Sequence, residues 1–285
     1  MTTIIYRPPN LKQKASAALA ETRKKLINMS RYPGQLAMEI IVPIVFAAMP
    51  ILLGRAAAGD DAAANFALNT GTTEYVAYLL IGANVFSLVT NAFWAIAYWV
   101  RFEQETGTLE AIYLTPTSSL TLIAGVCLYT AIRSVGSALI AYIIGCYIFG
   151  VNPFQGNVLL ALVFVLVGLI PLYGVTFLFG ALVLKVKESP SIINMMQWII
   201  NLLMGVFFPV TVLPPFLRWL AQLFPPTWMV NGVRSAILGV GFFLDEWYLD
   251  LAVLWAFMIF APLFSMWVFR RVESNLRRND GIGKF

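Results

Sequence analysis

Six stretches of the chain are apolar over roughly the 20 residues that a helix needs to cross the hydrocarbon core of a bilayer. They run over 36–54, 75–100, 118–149, 157–184, 191–213 and 247–269. A backbone in lipid cannot leave its polar groups unpaired, so each stretch is expected to be a helix. Composition agrees: 60% of the 285 residues are hydrophobic and 12% are charged, against about 45–50% and about 25% in a soluble domain. No water-soluble fold of this size hides that much apolar surface. The expected fold is an all-α integral membrane protein, with a six-helix transmembrane bundle over 35–270. A segment 1–34 precedes it and a tail 271–285 follows.

Charge orients the bundle. Of the 19 Lys and Arg, fifteen fall before the first span, between the second and third, between the fourth and fifth, or after the sixth. The opposite connections carry Arg55, Arg218 and Arg234, together with Asp60, Asp61, Glu74, Asp245 and Glu246. Basic connections stay cytoplasmic, so both termini are expected inside. The basic start is too long for an ordinary signal peptide. Ala56-Ala57-Ala58 imitates a cleavage site, but five further spans follow and retention is expected.

Residues 10–32 form a loosely amphipathic pattern. Leu11, Ala15, Ala18, Leu19, Leu26 and Met29 share one side, with Lys12, Lys14, Arg23, Lys24 and Lys25 on the other. Such a helix suits the inner membrane surface, held by apolar burial and anionic lipid. No nucleic-acid partner is expected.

The chain has no histidine, which removes the commonest metal ligand and acid–base catalyst. Neither a metal site nor a catalytic site is expected. Cys127 and Cys146 share the third span, roughly 28 Å apart along it, too far to bond. They read as buried apolar thiols.

The connection 101–116 is the most informative segment. Leu109, Ile112 and Tyr113 fall at i, i+3, i+4 and make a small apolar face. Glu103 and Glu110, seven apart, share another face, and Glu105 adds a third carboxylate. Thr115-Pro116 opens the next helix, since proline is tolerated at the first helical position. Nothing in the pattern would bury these carboxylates for acid–base work, so docking is the expected role.

A second segment, 205–239, is apolar but broken by Pro209, Pro214, Pro215, Pro225 and Pro226. Two short helices dipping back from the outer face are expected there. Glu105, Gly107, Thr108, Leu109, Glu110, Thr115 and Pro116 resemble the coupling helix of ABC-2 type permeases, the membrane-spanning subunits of exporters for drugs, polysaccharides and lipids. The proline pattern, running from Phe208-Pro209 and Leu213-Pro214 to Arg234 and Gly239, resembles the C-terminal part of the same family. The resemblance covers the six-span layout and essentially the whole chain.

The resemblance implies that Glu103, Glu105, Gly107, Thr108, Leu109, Glu110, Tyr113, Thr115 and Pro116 dock a nucleotide-binding subunit. No G-x-x-x-x-G-K-[ST] phosphate loop occurs in this chain. ATP and Mg are therefore expected on a separate ATPase subunit, present in two copies, with no cofactor on this chain. A complete pore would need a second copy of this permease or a relative.

Polar residues recur inside two spans. Asn84, Ser87 and Asn91 are spaced i, i+3, i+7 and continue to Trp94; Asn194, Gln197 and Asn201 repeat the spacing and continue to Phe208. Polar groups in lipid face a wet cavity or hold helices together. The resemblance implies that the second and fifth spans border the translocation path. Glu39 and Arg133 are intramembrane charges, usually paired. Counted from the starts of their own spans they stand at different depths, so a Glu39–Arg133 pair is not expected. An ion-coupled secondary transporter is the alternative; it would predict more carboxylates within spans and broken helices in both halves. An intramembrane enzyme would need facing catalytic groups, which the sequence does not offer.

Overall fold

The computed structural model describes residues 10–105, Gly107, 119–185 and 189–279. Ten α-helices account for nearly all of them: α1 Leu11–Arg31, α2 Pro33–Ala58, α3 Ala62–Thr70, α4 Tyr75–Glu105, α5 Ser119–Phe149, α6 Val158–Lys185, α7 Ser189–Met204, α8 Pro215–Gln222, α9 Pro225–Leu238 and α10 Trp247–Asn279. Among the described residues, five helices or helix runs are long and apolar enough to cross a membrane. They begin at α2, α4, α5, α6 and α10.

Local chemistry sets the helix ends. Asn10 caps α1 reciprocally: its side chain accepts from the Gln13 N–H, and Gln13 accepts from the Asn10 N–H, both at 2.9 Å. Tyr32 then leaves the helical region, and Pro33 starts α2 at the position where a missing N–H costs nothing. The expected boundary at 34/35 thus falls about half a turn inside α2. At the other end of the chain the sixth span continues as helix to Asn279, ten residues beyond its expected end.

The fifth expected span differs most from expectation. Over 191–213 the sequence predicts one crossing; the helix stops at Met204 after 16 residues, about 24 Å. Gly205 then adopts φ 60°, Pro209 is extended, and Val210–Val212 is a single 3-10 turn. A glycine in the left-handed region followed by proline cannot continue an α-helix. The two short helices expected over 205–239 are α8 and α9, each with proline in its first turn.

α9 is buried along almost its whole length. It packs on α6, where Gly168 accommodates Met229 and Phe164 lies over Gly232. It packs on α4 at Gly82, where a Cβ would collide with the Val206 carbonyl and the Arg234 guanidinium. Arg234 was counted as a loop charge in the sequence; it is instead 2% exposed. Its guanidinium donates to the carbonyls of Gly205 at 2.8 Å, Val206 at 2.5 Å and Tyr78 at 3.3 Å, and lies 3.6 Å from the Tyr78 ring centroid. The carbonyls of Gly205 and Val206 are freed by the break after α7, at the negative end of its dipole, whereas that of Tyr78 belongs to α4. One cation therefore ties α9 to the end of α7 and to α4.

Arg234→Met should leave the Gly205 and Val206 carbonyls without this donor and cost on the order of 3 kcal/mol. The expected readout is a lower unfolding temperature of the purified protein in detergent, with Arg234→Lys falling between the two.

Candidate functional site

A cavity of about 460 Å³ opens at the end of the bundle that carries α1, between α1, α2, α4 and α5. α1 lies across the first turns of α5. Thr22 is buried against that helix, its hydroxyl 2.9 Å from the Gly125 carbonyl and 3.0 Å from its own Ala18 carbonyl. A side chain at Gly125 would strike the Ala18 carbonyl, so glycine permits this approach. The packed face of α1 is Ala18, Glu21, Thr22, Lys25 and Met29, whereas Leu11 and Leu19 of the expected apolar side are exposed. The closest approach is made by small residues, Ala18 and Thr22 against Gly125, while Leu11, Leu19 and Ile27 are exposed.

At the centre of the cavity Glu39 and Arg133 form an ion pair, with Arg133 Nη2 2.6 Å from Glu39 Oε1 and both side chains about nine-tenths buried. The expectation that these two residues stand at different depths is incorrect. α5 is 31 residues long, about 46 Å, against about 30 Å of hydrocarbon. Because α1 flanks its first turns, the excess lies at that end. Arg133, midway along α5, is thereby level with Glu39 in the second turn of α2. The guanidinium also lies 5.2 Å from the Tyr129 ring centroid, while its Nε has no hydrogen-bond acceptor.

The polar stripe of the second span divides. Asn91 and Trp94 line the cavity beside the ion pair. Ser87 is half-buried, and its carbonyl accepts from the Thr90 hydroxyl at 3.0 Å. Asn84 is 4% exposed and faces a different, apolar cavity. The stripe of the fifth span does not join either: Asn194 is exposed, Gln197 and Asn201 are half-buried on α7, and Phe208 lies beyond the break, beside Pro50 and Phe66.

Of the expected docking residues, Glu103 is buried near the end of α4 and Gly107 turns the chain at φ 69°. Glu105 is the last residue of α4. Thr108, Leu109, Glu110, Tyr113, Thr115 and Pro116 lie outside the described residues. Sequence reasoning missed Lys25, Tyr129 and Thr130 as cavity residues. It also missed Asp250, which is fully buried and accepts from the N–H groups of Phe243 and Leu244, both at 3.0 Å. Its signal was a lone carboxylate in the first turn of an apolar helix.

Five apolar crossings around a buried, proline-started helix define a multi-pass helical membrane protein. The sequence profile described as ABC-2 type transporter matches residues 17–238, well over half of the chain, and the chain belongs to that family. The inner membrane transport permease YadH of Escherichia coli strain K12 is 26% identical over 173 residues, covering 59% of this chain and 64% of that relative. The proteins of the same name from Escherichia coli O157:H7 and Shigella flexneri match to the same extent. The chain thus spans just under two thirds of the length of these relatives.

Glu39→Met alone should strand a buried cation and cost about 3–5 kcal/mol, whereas Glu39→Met with Arg133→Met should recover most of that stability. Thermal unfolding of the two variants checks this. A stable double variant that no longer transports would assign the pair to function rather than to folding.

Proposed function

We propose that this chain is the membrane-spanning permease subunit of an ATP-driven exporter. The observation that carries the reading is the family match, which begins within α1 and ends at the last residue of α9. In this reading a separate ATPase subunit, in two copies, holds ATP and Mg and docks on the 101–116 connection. A second permease, another copy or a relative, completes the pore. The cargo is hydrophobic, lipid-linked or polysaccharide, and it enters past Asn91, Trp94 and the Glu39–Arg133 pair. Both termini are cytoplasmic, and the membrane is the plasma or inner membrane.

Two features support this reading over ion-coupled secondary transport. The buried carboxylates Glu39 and Asp250 are each engaged, one by a guanidinium and the other by two backbone donors. Among the described residues, helix breakage centres on 205–224, rather than recurring in corresponding positions of two halves. The Leu109 and Tyr113 face would bury in a cleft of the ATPase, contributing about 1.5–3 kcal/mol for each large side chain fully buried. The carboxylates would give orientation more than affinity.

Glu110→Arg should release the ATPase or uncouple hydrolysis from transport while the bundle stays folded. Gly107→Leu should act more severely, because it also forces a branched side chain into a left-handed backbone. Co-purification of the ATPase and transport at normal permease levels test this; wild-type behaviour in both variants would remove 101–116 as the coupling element. Cysteines introduced at Ala63 and Asp245 should label from outside intact cells, and cysteines at Ser16 and Arg278 should not. External labelling of either terminus refutes the orientation.

A further inference from the structure

α5 and α6 both pack extensively on α4 but scarcely touch each other. The gap between them is a cavity of about 300 Å³, floored by α4 and closed behind by α9. It lies toward the end of the bundle away from α1, as the positions of Asn84 in α4, Tyr142 in α5 and Val158 in α6 require. Two of its lining residues, Leu139 and Val158, are exposed on the outside of the bundle, at 47% and 39%. The cavity therefore opens sideways to lipid.

Its wall is made of Ile81, Val85, Leu88, Val135, Leu162 and Val165 and similar side chains, with two polar exceptions. Asn84 donates from Nδ2 to the Leu80 carbonyl at 2.8 Å, but its Oδ1 has no partner. The Tyr142 hydroxyl has only the thiol of Cys146, one turn on, beside it, and a thiol is a weak hydrogen-bonding partner. An unpartnered acceptor and a hydroxyl with only a weak partner, both buried on facing helices, are costly. Water is a poor answer, because a cavity with so apolar a wall stays dry. A chain of methylenes fills the space, and a hydroxyl on it can donate to Asn84 Oδ1 or accept from Tyr142 Oη.

We propose that this lateral cavity binds an apolar chain carrying a single hydroxyl: a long-chain or prenyl alcohol, or a hydroxylated lipid tail. The site is separate from the ion-pair cavity and stands whether or not that cavity is the entry for cargo. The same chemistry could come from a resident membrane lipid or from exported cargo.

The test uses the full chain in lipid nanodiscs and two photoreactive probes, a diazirine-bearing dodecanol and the matching dodecane. The alcohol should label peptides within 135–142 and 158–165, compete with unlabelled dodecanol, and be excluded by Ala138→Phe. Tyr142→Phe combined with Asn84→Leu should weaken alcohol labelling about tenfold, to the level of the alkane. Tyr142→Phe keeps the ring and removes only a hydroxyl whose partner is a weakly bonding thiol, so it should fold and melt close to wild type without ligand. That variant decides the matter if Ala138→Phe does not fold. Equal labelling by alcohol and alkane, or labelling that survives both Ala138→Phe and Tyr142→Phe, overturns the proposal. Stimulation of the partnered ATPase by dodecanol would mark cargo; labelling without stimulation would mark a resident lipid. Both results support the site.

Discussion

The arrangement depends on one buried cation. The charge of Arg234 is met by the carbonyls of Gly205, Val206 and Tyr78 and by the face of the Tyr78 ring. In a medium without water, carbonyls released by a helix break need a donor from the protein itself. A guanidinium, with five donors in a fixed fork, suits this because it can serve several acceptors and cannot be deprotonated there. The break after α7, the burial of α9 and the glycine at 82 are three aspects of one packing arrangement. The non-helical stretch after α7 is tolerated among apolar helices because Arg234 reaches it.

Much of the fold follows from hydrophobic length. α2, α4, α5, α6 and α10 stand where runs of apolar residues required helices, with ends set by Pro33, Asn157 and similar local signals. The end of α7 was harder to place, since 205–213 is as apolar as the helix before it. Counting apolar residues does not register a positive φ at Gly205. Arg234 was misread for the converse reason: α9 is too short to count as a crossing, so its charge passed for a loop charge.

The candidate site was legible only in parts. Asn91, Trp94, Glu39 and Arg133 carry sequence signals, because polar and charged groups in lipid must face something. Their meeting was not legible, since depth counted along the chain assumes that all helices enter the membrane at the same height. α5 does not, because α1 occupies the space beside its first turns. The gap between α5 and α6 had no sequence signal. It depends on two helices sharing α4 as a neighbour without being neighbours themselves.

The overhang of α5 has a mechanical side. α4 runs about one and a half turns past its apolar window, which ends at Trp99, and α5 begins at Ser119 beside the docked α1. At this end α4 and α5 face each other across the ion-pair cavity. A helix resists compression along its axis, because every turn is braced by its own hydrogen bonds. A movement of either one is therefore carried along it largely as rigid displacement. Arg133 and Asn91 are mounted on different helices, so a tilt of one against the other changes the width of the cavity between them.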